Sequence, residues 1–478
     1  MRLGLFSAML VSCSFLNANE AASGSYKIPF ENCFKSELFV SGEDCYTKFN
    51  KPEYRITEWQ FLEVSVDYKS NQFGNTKISY KLSPNFSVDK KTVIYFNGGP
   101  GGTSVDSDFV LLDDVNVIYF NQRGAAFSRP ENQELFLNQD YYSSENTARD
   151  ALEIVKHLGL KQVIAYGMSY GTVPATIFGH LFPQYTHNVI LEGVVYDGQS
   201  RLWYASHRIK LLQKYFDKLD PSLKESILKY SRQSEIFPGW FSSIAQKIMY
   251  DANFEKRLTS SLKELLDSQG SLSPEDNEKR IIEKLKSRSY DSIATMQDML
   301  WFSPTMFKFI ACKELNGQNE LSNFDAVFNE KDKLIPYENK SNDVNGCQKL
   351  NITKTGTYSA ENYPLSVPVY YFQGTTDGAT TAEFAVWHYK KAAKGKAMLV
   401  LAKQAGHSVV IQHLSSKLEL REEEKKNPLI VAENEKLRAQ QSEIIKIFKA
   451  AINNETLDVS KLNQLIGDKK SEWVKTQK

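Results

Sequence analysis

The sequence predicts an α/β fold with a mostly parallel central sheet and a large helical insertion. Residues 92–96 and 115–120 are short and almost wholly apolar, which is typical of strands buried on both faces. Helical patterns separate such segments, and strands that alternate with helices indicate right-handed crossovers and a parallel sheet. The alternation stops over residues 197–364, which are helix-rich, charged and aromatic. We therefore expect this stretch to be inserted between two strands of the sheet.

The individual elements follow from hydrophobic periodicity. Residues 24–60 are mixed and turn-rich and predict a lead-in that the first pair of cysteines holds together. Residues 61–68 and 76–82 alternate apolar and polar side chains, which indicates half-buried antiparallel strands at a sheet edge. Further strands are predicted at residues 92–96, 115–120, 162–166, 189–195, 367–373 and 397–401, and helices at 145–158, directly after 171, at 382–392 and at 442–452.

These patterns divide the chain into four parts. We expect a leader at residues 1–22, a first core segment at 23–196, a helical cap at 197–364 and a second core segment with C-terminal helices at 365–478. The 478 residues are enough for one large α/β domain with such an insertion.

Composition describes an ordinary globular protein, with 41% hydrophobic and 24% charged residues. The formal net charge of +1 gives no electrostatic reason to expect nucleic acid or an anionic membrane surface as a partner. After the first 22 residues, no apolar run is long enough to cross a bilayer.

The amino terminus has the pattern of a secretory signal. One basic residue precedes about a dozen apolar residues and then small residues, with cleavage expected around Ala18–Ala22. Residues 10–13 also fit a bacterial lipoprotein cleavage box, which would leave Cys13 lipidated. The sequence therefore predicts export, with cleavage to a soluble form or lipid anchoring as the two alternatives.

The remaining four cysteines suggest two disulfide bonds in an exported chain. The sequence-local pairing joins Cys33 to Cys45 and Cys312 to Cys347, and four buried free thiols are the alternative. Neither a C-x-x-C nor an H-x-x-x-H pair occurs, so the sequence supports no metal site. No cofactor is predicted.

The most informative stretch is Gly167-Met168-Ser169-Tyr170-Gly171. It matches G-x-S-x-G between a predicted strand and a predicted helix, the context in which a serine stands on a sharp, strained turn. Ser169 is therefore the candidate nucleophile.

An activated serine needs a base and a group that orients the base, in the chain order Ser, acid, His. Asp377 follows the strand predicted to end at Gln373, and His407 follows the last predicted strand. Asp197, after the preceding strand, is the rival acid. Together these positions predict a Ser169–His407–Asp377 triad.

A glycine-rich stretch, residues 97–102 (NGGPGG), follows the third predicted strand. Such a turn lets backbone N–H groups approach a substrate carbonyl and stabilise an oxyanion. We expect the N–H groups of Gly99 and Tyr170 to do so, with Gly98 as the neighbouring option. A phosphate-binding loop would end in Gly-Lys-Ser/Thr, and this one does not.

At these residues the chain resembles the proline iminopeptidase and tripeptidyl aminopeptidase family of α/β-hydrolases. The matching blocks, in the family's order, are NGGPGG at 97–102, NQRGAAFS at 121–128, GMSYG at 167–171, LEGVV at 191–195, GTTDGAT at 374–380 and AGHS at 405–408. Cysteines ahead of the first strands look more like the secreted tripeptidyl branch than the cytosolic iminopeptidases.

The resemblance implies an α/β-hydrolase fold and a serine aminopeptidase that accepts short peptides by their free amino terminus. It implies Ser169 as nucleophile, His407 as base and Asp377 as orienting acid. Arg123, in a block that departs from the family's usual Asp-Gln-Arg-Gly, is interpreted as structural support. Acidic cap residues hold the substrate amine in this family, but none can be assigned among Glu225, Glu235, Asp291 and Asp298.

Two other functions remain open at this level. An esterase of the same fold is one alternative, because an aromatic-rich cap suits acyl chains as well as peptides. A catalytically inactive binding protein is the other, although the intact Ser, Asp and His argue against it.

Overall fold

A nine-stranded sheet organises the part of the chain that the structure describes. The structure is a computed structural model, and it describes residues 39–50, 58–70, 73–105, 107, 109, 114–198, 215–233, 254–267, 273, 276–277, 279–280, 302–315, 357–403, 405–414, 424–426, 428–457 and 473–477. The strands are β1 (Gln60–Ser65), β2 (Asn75–Leu82), β3 (Thr92–Phe96), β4 (Asn116–Phe120), β5 (Val163–Met168), β6 (Thr186–Glu192), β7 (Val369–Gly374), β8 (Ala397–Ala402) and β9 (Trp473–Gln477).

The strand order in the sheet is β1-β2-β4-β3-β5-β6-β7-β8-β9. The six strands from β3 to β8 run parallel to one another, whereas β1, β2 and β9 pair antiparallel at the two ends. The carboxyl ends of the parallel strands therefore meet at one edge of the sheet. In α/β sheets this edge is where ligands bind.

The described helices are α1 (Gly42–Phe49), α2 (Gln133–Leu137), α3 (Ser144–His157), α4 (Thr172–Leu181), α5 (Pro221–Gln233), α6 (Phe254–Asp267), α7 (Pro304–Ile310), α8 (Ala382–Lys391) and α9 (Pro428–Ile452). Helix α3 begins one residue before its predicted start, and Ser143 caps it by accepting a hydrogen bond from the N–H of Asn146 on its side chain. One turn of π-helix, Ala311–Leu315, continues α7.

The central strands are apolar on both faces because both faces are covered. Along β3, Ile94 and Phe96 pack into a hydrophobic cluster with α3, α4 and α8. The alternate residues Val93 and Tyr95 belong to a second cluster, which includes Phe448 of α9. Successive side chains of a strand point to opposite faces, so two covered faces require a continuous apolar run.

The fold predicted from the sequence is confirmed in its main features. Each predicted strand is present within a few residues of its expected bounds, and β3 has the predicted bounds. The described elements between β6 and β7 are helical, as expected of the insertion. The boundaries proposed for the four parts of the chain stay predictions.

Three features differ from the sequence-based expectation. Residues 42–49, within the expected turn-rich lead-in, form α1, which Ser41 caps by accepting a hydrogen bond from the N–H of Asp44. The C-terminal helix is longer than the predicted 442–452, and β9 adds an edge strand. Short amphipathic elements give a weak periodic signal, and an edge strand gains its stability from its partner.

Other predictions fall partly or wholly outside the described residues. The leader, including Cys13, lies there. Cys45 and Cys312 are buried, but Cys33 and Cys347 lie outside the described part, so the disulfide pairing stays a prediction. Across the described part of the chain, no helix combines the length and the apolar character that a bilayer crossing needs.

Candidate active site

Ser169 stands on a strained turn at the carboxyl end of β5. Its φ of 54° lies in the left-handed region, which is uncommon for a residue with a side chain. The strand before it is fully buried, and α4 begins three residues later. Such backbone strain at a non-glycine residue is often stored at functional sites.

Close packing against β3 explains the glycine at the end of the turn. A Cβ at Gly171 would lie 2.0 Å from the carbonyl oxygen of Phe96 and 2.8 Å from that of Asn97. Only glycine permits this approach of two backbones. The tight contact fixes the turn that carries Ser169 against the neighbouring strand.

His407 and Asp377 form a buried pair. Nδ1 of His407 lies 2.8 Å from Oδ2 of Asp377, and the two side chains are 10% and 0% exposed. Since an ionised carboxylate only accepts, Nδ1 carries the proton and donates it to Asp377, which leaves Nε2 as the basic nitrogen.

Asp377 is held in the ionised form by several donors. It accepts hydrogen bonds from the N–H groups of Ala379 and Thr380, from the hydroxyl of Thr380 and from Nε2 of Gln373. Burial opposes the charge, but the neighbouring His407 and these donors outweigh it, so the pKa of Asp377 lies below its usual value. The rival acid Asp197 forms an isolated bridge with Ser359, whereas the carboxylate that contacts His407 is that of Asp377.

Gly193 provides the surface against which the imidazole packs. A Cβ at Gly193 would lie 2.9 Å from Cε1 and 3.2 Å from Nδ1 of His407. The residue has a φ of +61° and directly follows β6. The ring of His407 therefore lies over the end of β6, the strand between β5, which carries Ser169, and β7, which precedes Asp377.

The topology brings the three predicted residues to one edge of the sheet. Ser169 follows β5, Asp377 follows β7 and His407 follows β8, all at carboxyl ends of parallel strands. Neighbouring strands are about 4.8 Å apart, so an imidazole over β6 lies one strand from the serine.

The glycine-rich loop after β3 borders Ser169. A Cβ at Gly98 would lie 3.1 Å from Cβ of Ser169. Within the loop, the N–H of Gly98 donates to Oδ1 of Asn97, and the carbonyl of Gly99 accepts from the N–H of Gly102. Gly99 itself has a φ of +64°. These bonds fix the loop next to the turn.

Residues of the insertion cover this loop. The N–H of Ser303 donates to the carbonyl of Gly101 over 2.8 Å, and Cε2 of Phe302 lies 3.8 Å from where a Cβ of Gly99 would be. Phe302 also contacts Phe307, with ring centroids 5.7 Å apart. The start of α7 therefore supplies an aromatic wall to the candidate site.

The contacts of Arg123 agree with its interpretation as structural support. Its guanidinium is fully buried and makes two hydrogen bonds to the carboxylate of Asp150, at 2.6 and 2.9 Å. It also donates to the backbone carbonyls of Ser65, Val66 and Tyr141. These contacts fix the loop after β4 to the edge strands and to α3.

Sequence reasoning missed two buried acids near the site. Glu314, in the π-helical turn, accepts hydrogen bonds from the N–H and hydroxyl of Ser144, whose hydroxyl contacts the hydroxyl of Tyr170. Burial raises the pKa of Glu314, and the donors of Ser144 oppose this rise. Glu192 ends β6 and contacts the segment after His407. A carboxylate within an otherwise apolar strand was the available signal for Glu192, whereas Glu314 had none.

The acids considered for the cap are not brought to the site by the described contacts. Glu225 is exposed on α5, and Glu235, Asp291 and Asp298 lie outside the described residues. Within the described part of the chain, no group of three or more His, Cys, Asp or Glu side chains is arranged to hold a metal ion.

Comparison with known proteins identifies the class. A family model described as the alpha/beta hydrolase fold matches residues 91–414. The chain therefore belongs to the α/β-hydrolase fold family.

Individual relatives are more distant. A tripeptidyl aminopeptidase of Streptomyces coelicolor is 33% identical over 219 residues, which cover 35% of this chain and 40% of that protein. A proline iminopeptidase of Clostridioides difficile is 25% identical over 154 residues, which cover 31% of this chain and 49% of that protein. The chain thus spans less than half the length of these curated relatives, and the resemblance stated from its motifs is confirmed.

A solved structure of a proline iminopeptidase-related protein from Thermus thermophilus is 15% identical to this chain. The match covers 74% of this chain and 92% of that one, with a TM-score of 0.37.

Proposed function

We propose that the protein is a serine peptidase that cleaves short peptides from their free amino terminus through an acyl-enzyme on Ser169. The observation that carries this proposal is the buried His407–Asp377 hydrogen bond at the same sheet edge as the strained turn of Ser169. A serine, a base and an orienting acid in this arrangement are the components of nucleophilic acyl transfer.

In the proposed reaction, the hydroxyl of Ser169 attacks the peptide carbonyl while Nε2 of His407 takes its proton. The imidazolium then protonates the leaving amine, and water releases the acyl group by the same steps in reverse. Asp377 holds the ring in the required tautomer and stabilises its positive charge.

We assign the N–H groups of Gly99 and Tyr170 as donors to the oxyanion. Tyr170 directly follows the nucleophile, and Gly99 belongs to the loop that borders it. Gly98 is the less suitable partner because its N–H already donates to Asn97. Preorganised donors of this kind supply a large share of the stabilisation of an acyl-transfer transition state.

The peptidase assignment is supported by the names of the relatives, a tripeptidyl aminopeptidase and a proline iminopeptidase. An esterase of the same fold is the competing function. The aromatic wall formed by Phe302 and Phe307 favours an esterase, because an apolar wall suits an apolar acyl group. We further propose export, on the basis of the leader pattern in residues 1–22, with amino-terminal sequencing of the mature protein as its test.

The test is product analysis by mass spectrometry. The protein is incubated with a defined set of peptides, with the same peptides N-acetylated, and with short p-nitrophenyl esters. Release of amino-terminal residues or tripeptides from the free peptides, and their protection by acetylation, supports the proposal. Cleavage of esters alone favours the esterase, and absence of any turnover favours a binding protein. Ser169→Ala is the matched control and should lose at least about a thousandfold in kcat.

A further inference from the structure

Glu192 makes an unusual set of contacts for a carboxylate at the end of a buried strand. Its Oε1 accepts hydrogen bonds from the N–H groups of Val409 at 2.5 Å and Val410 at 2.7 Å, and Ile411 donates to both oxygens at 3.2 Å. Its Oε2 accepts from the hydroxyl of Tyr166 at 2.6 Å. The side chain is completely buried.

The contacted backbone belongs to the same segment as His407. Only Ser408 separates His407 from Val409, and two residues span at most about 7 Å of chain. On the other side, Glu192 directly precedes Gly193, against which the imidazole packs. Glu192 therefore connects the end of β6, against which the imidazole packs, to the segment that carries His407.

The chemistry of these contacts requires a carboxylate. Residues 409–411 contribute no strand to the sheet, so their N–H groups need another acceptor, and an unsatisfied buried N–H is costly. All the partners of Glu192 donate, which suits an ionised acceptor with two oxygens. Burial raises the pKa of Glu192, and the donors from Tyr166 and from the backbone of Val409 and Val410 oppose the rise.

We propose that Glu192 is a positioning residue for His407. It fixes the segment 409–411 to the end of β6 and so holds the imidazole between Ser169 and Asp377. This inference rests on the proposed function, because it gives Glu192 a role only if His407 is the catalytic base.

The carboxylate of Glu192 belongs to the same end of β6 as Gly193, against which the imidazole of His407 packs. Tyr166, which donates to Glu192, and Asp377, which accepts from His407, are titratable groups that face this pair. A buried carboxylate favours the protonated form of a nearby imidazole. Removal of its charge should therefore make His407 easier to deprotonate.

The experiment compares Glu192→Gln, Glu192→Asp and Tyr166→Phe with the wild-type protein. Active sites are titrated with a fluorophosphonate, and kcat is expressed per reactive serine. A lower fraction of folded protein in a variant then does not lower its kcat. The pH dependence of kcat/KM is measured with the best substrate from the peptide and ester set.

Glu192→Gln should lower kcat per titrated site at least about tenfold with KM within about twofold, because a misplaced base affects the transition state more than binding. The acidic limb of the pH profile of kcat/KM should move to lower pH by roughly 0.5 unit or more in this variant. Glu192→Asp keeps the charge, but its shorter side chain does not reach the N–H groups of residues 409–411. Its kcat should therefore fall, while the acidic limb of its kcat/KM profile should stay at the wild-type pH. Tyr166→Phe leaves the three N–H contacts in place and should retain kcat within about threefold.

The outcomes separate the two proposals. A wild-type protein without turnover or labelling removes the proposed function, and this inference with it. An active wild-type protein whose Glu192→Gln variant keeps both kcat per site and the pH limb overturns the positioning role alone. If Glu192→Gln does not fold, Glu192→Asp decides, and wild-type kcat per site in that variant overturns the role.

Discussion

Gly193→Ala is predicted to inactivate the site by moving His407. The added Cβ would lie 2.9 Å from Cε1 of the imidazole and 3.3 Å from Oγ1 of Thr380. Ordinary carbon–carbon contacts are about 3.5–4.0 Å, so the ring must move by about 0.6–1.1 Å or the backbone must yield. A displacement of about 1 Å in a catalytic group costs about 100-fold in rate, which corresponds to about 2.7 kcal/mol of activation free energy.

The substitution also places a side chain at a φ of +61°. That conformation costs a residue other than glycine about 1–2 kcal/mol of folding free energy. Gly159→Ala is the matched control, because Gly159 has a φ of +65° and nothing within 4 Å of the position of its Cβ. Gly159→Ala should lose about this amount in thermal or urea unfolding, and Gly193→Ala should lose at least as much because of the added contact with His407.

The assay is kcat and KM for the best peptide or ester substrate, measured well below the midpoint of unfolding. Gly193→Ala should lose about 100-fold in kcat, whereas Gly159→Ala should stay within about twofold of wild type. If the two variants retain the same activity, the packing of His407 on Gly193 does not position the base.

Three further predictions concern Asp377, His388 and Asp150. Asp377→Asn should lower kcat by about 10⁴-fold with little effect on KM in steady-state kinetics, because it disturbs the tautomer of His407; a loss below tenfold would contradict its role. Burial lowers the pKa of His388 to about 3, so the unfolded chain takes up a proton below pH 6.5 that the folded chain refuses, and stability falls as pH falls from 6.5 towards 3. Between pH 7 and pH 5, the free energy of unfolding measured with urea should therefore fall by about 2 kcal/mol less in His388→Gln than in the wild-type protein. An equal fall in both proteins would argue against a neutral buried imidazole. Asp150→Asn leaves the buried guanidinium of Arg123 without its counter-charge and should lower the free energy of unfolding in urea by about 3–5 kcal/mol. A decrease below about 1 kcal/mol would show that the ion pair is dispensable.

The fold was predictable because its determining signals are local. The strands from β3 to β8 are apolar runs with turn residues at their ends, and each depends on burial that the sequence itself shows. Helix α1 and strand β9 were missed because their stability comes from partners elsewhere in the chain. A short helix has a weak periodic signal, and an edge strand is defined by its neighbour.

The candidate site was predictable as a set of positions but not as a geometry. Ser169, Asp377 and His407 each follow a predicted strand, so the sheet topology alone places them at one edge. The packing of His407 on Gly193 was not visible, since a glycine after a strand has the same pattern whether or not a ring lies against it. Glu192 and Glu314 depend on contacts 217 and 170 residues away in the chain. Such long-range polar contacts have no local pattern.

The proposed function requires Ser169 to be a nucleophile that His407 activates. The most direct measurement is reaction with a fluorophosphonate, followed by intact-mass analysis and peptide mapping of the adduct. We expect one adduct per chain, on the peptide that contains Ser169. The adduct should be lost in Ser169→Ala, and the reaction should be sharply slower in His407→Ala. Labelling at another residue, or hydrolytic activity that persists in a folded Ser169→Ala protein, would contradict it.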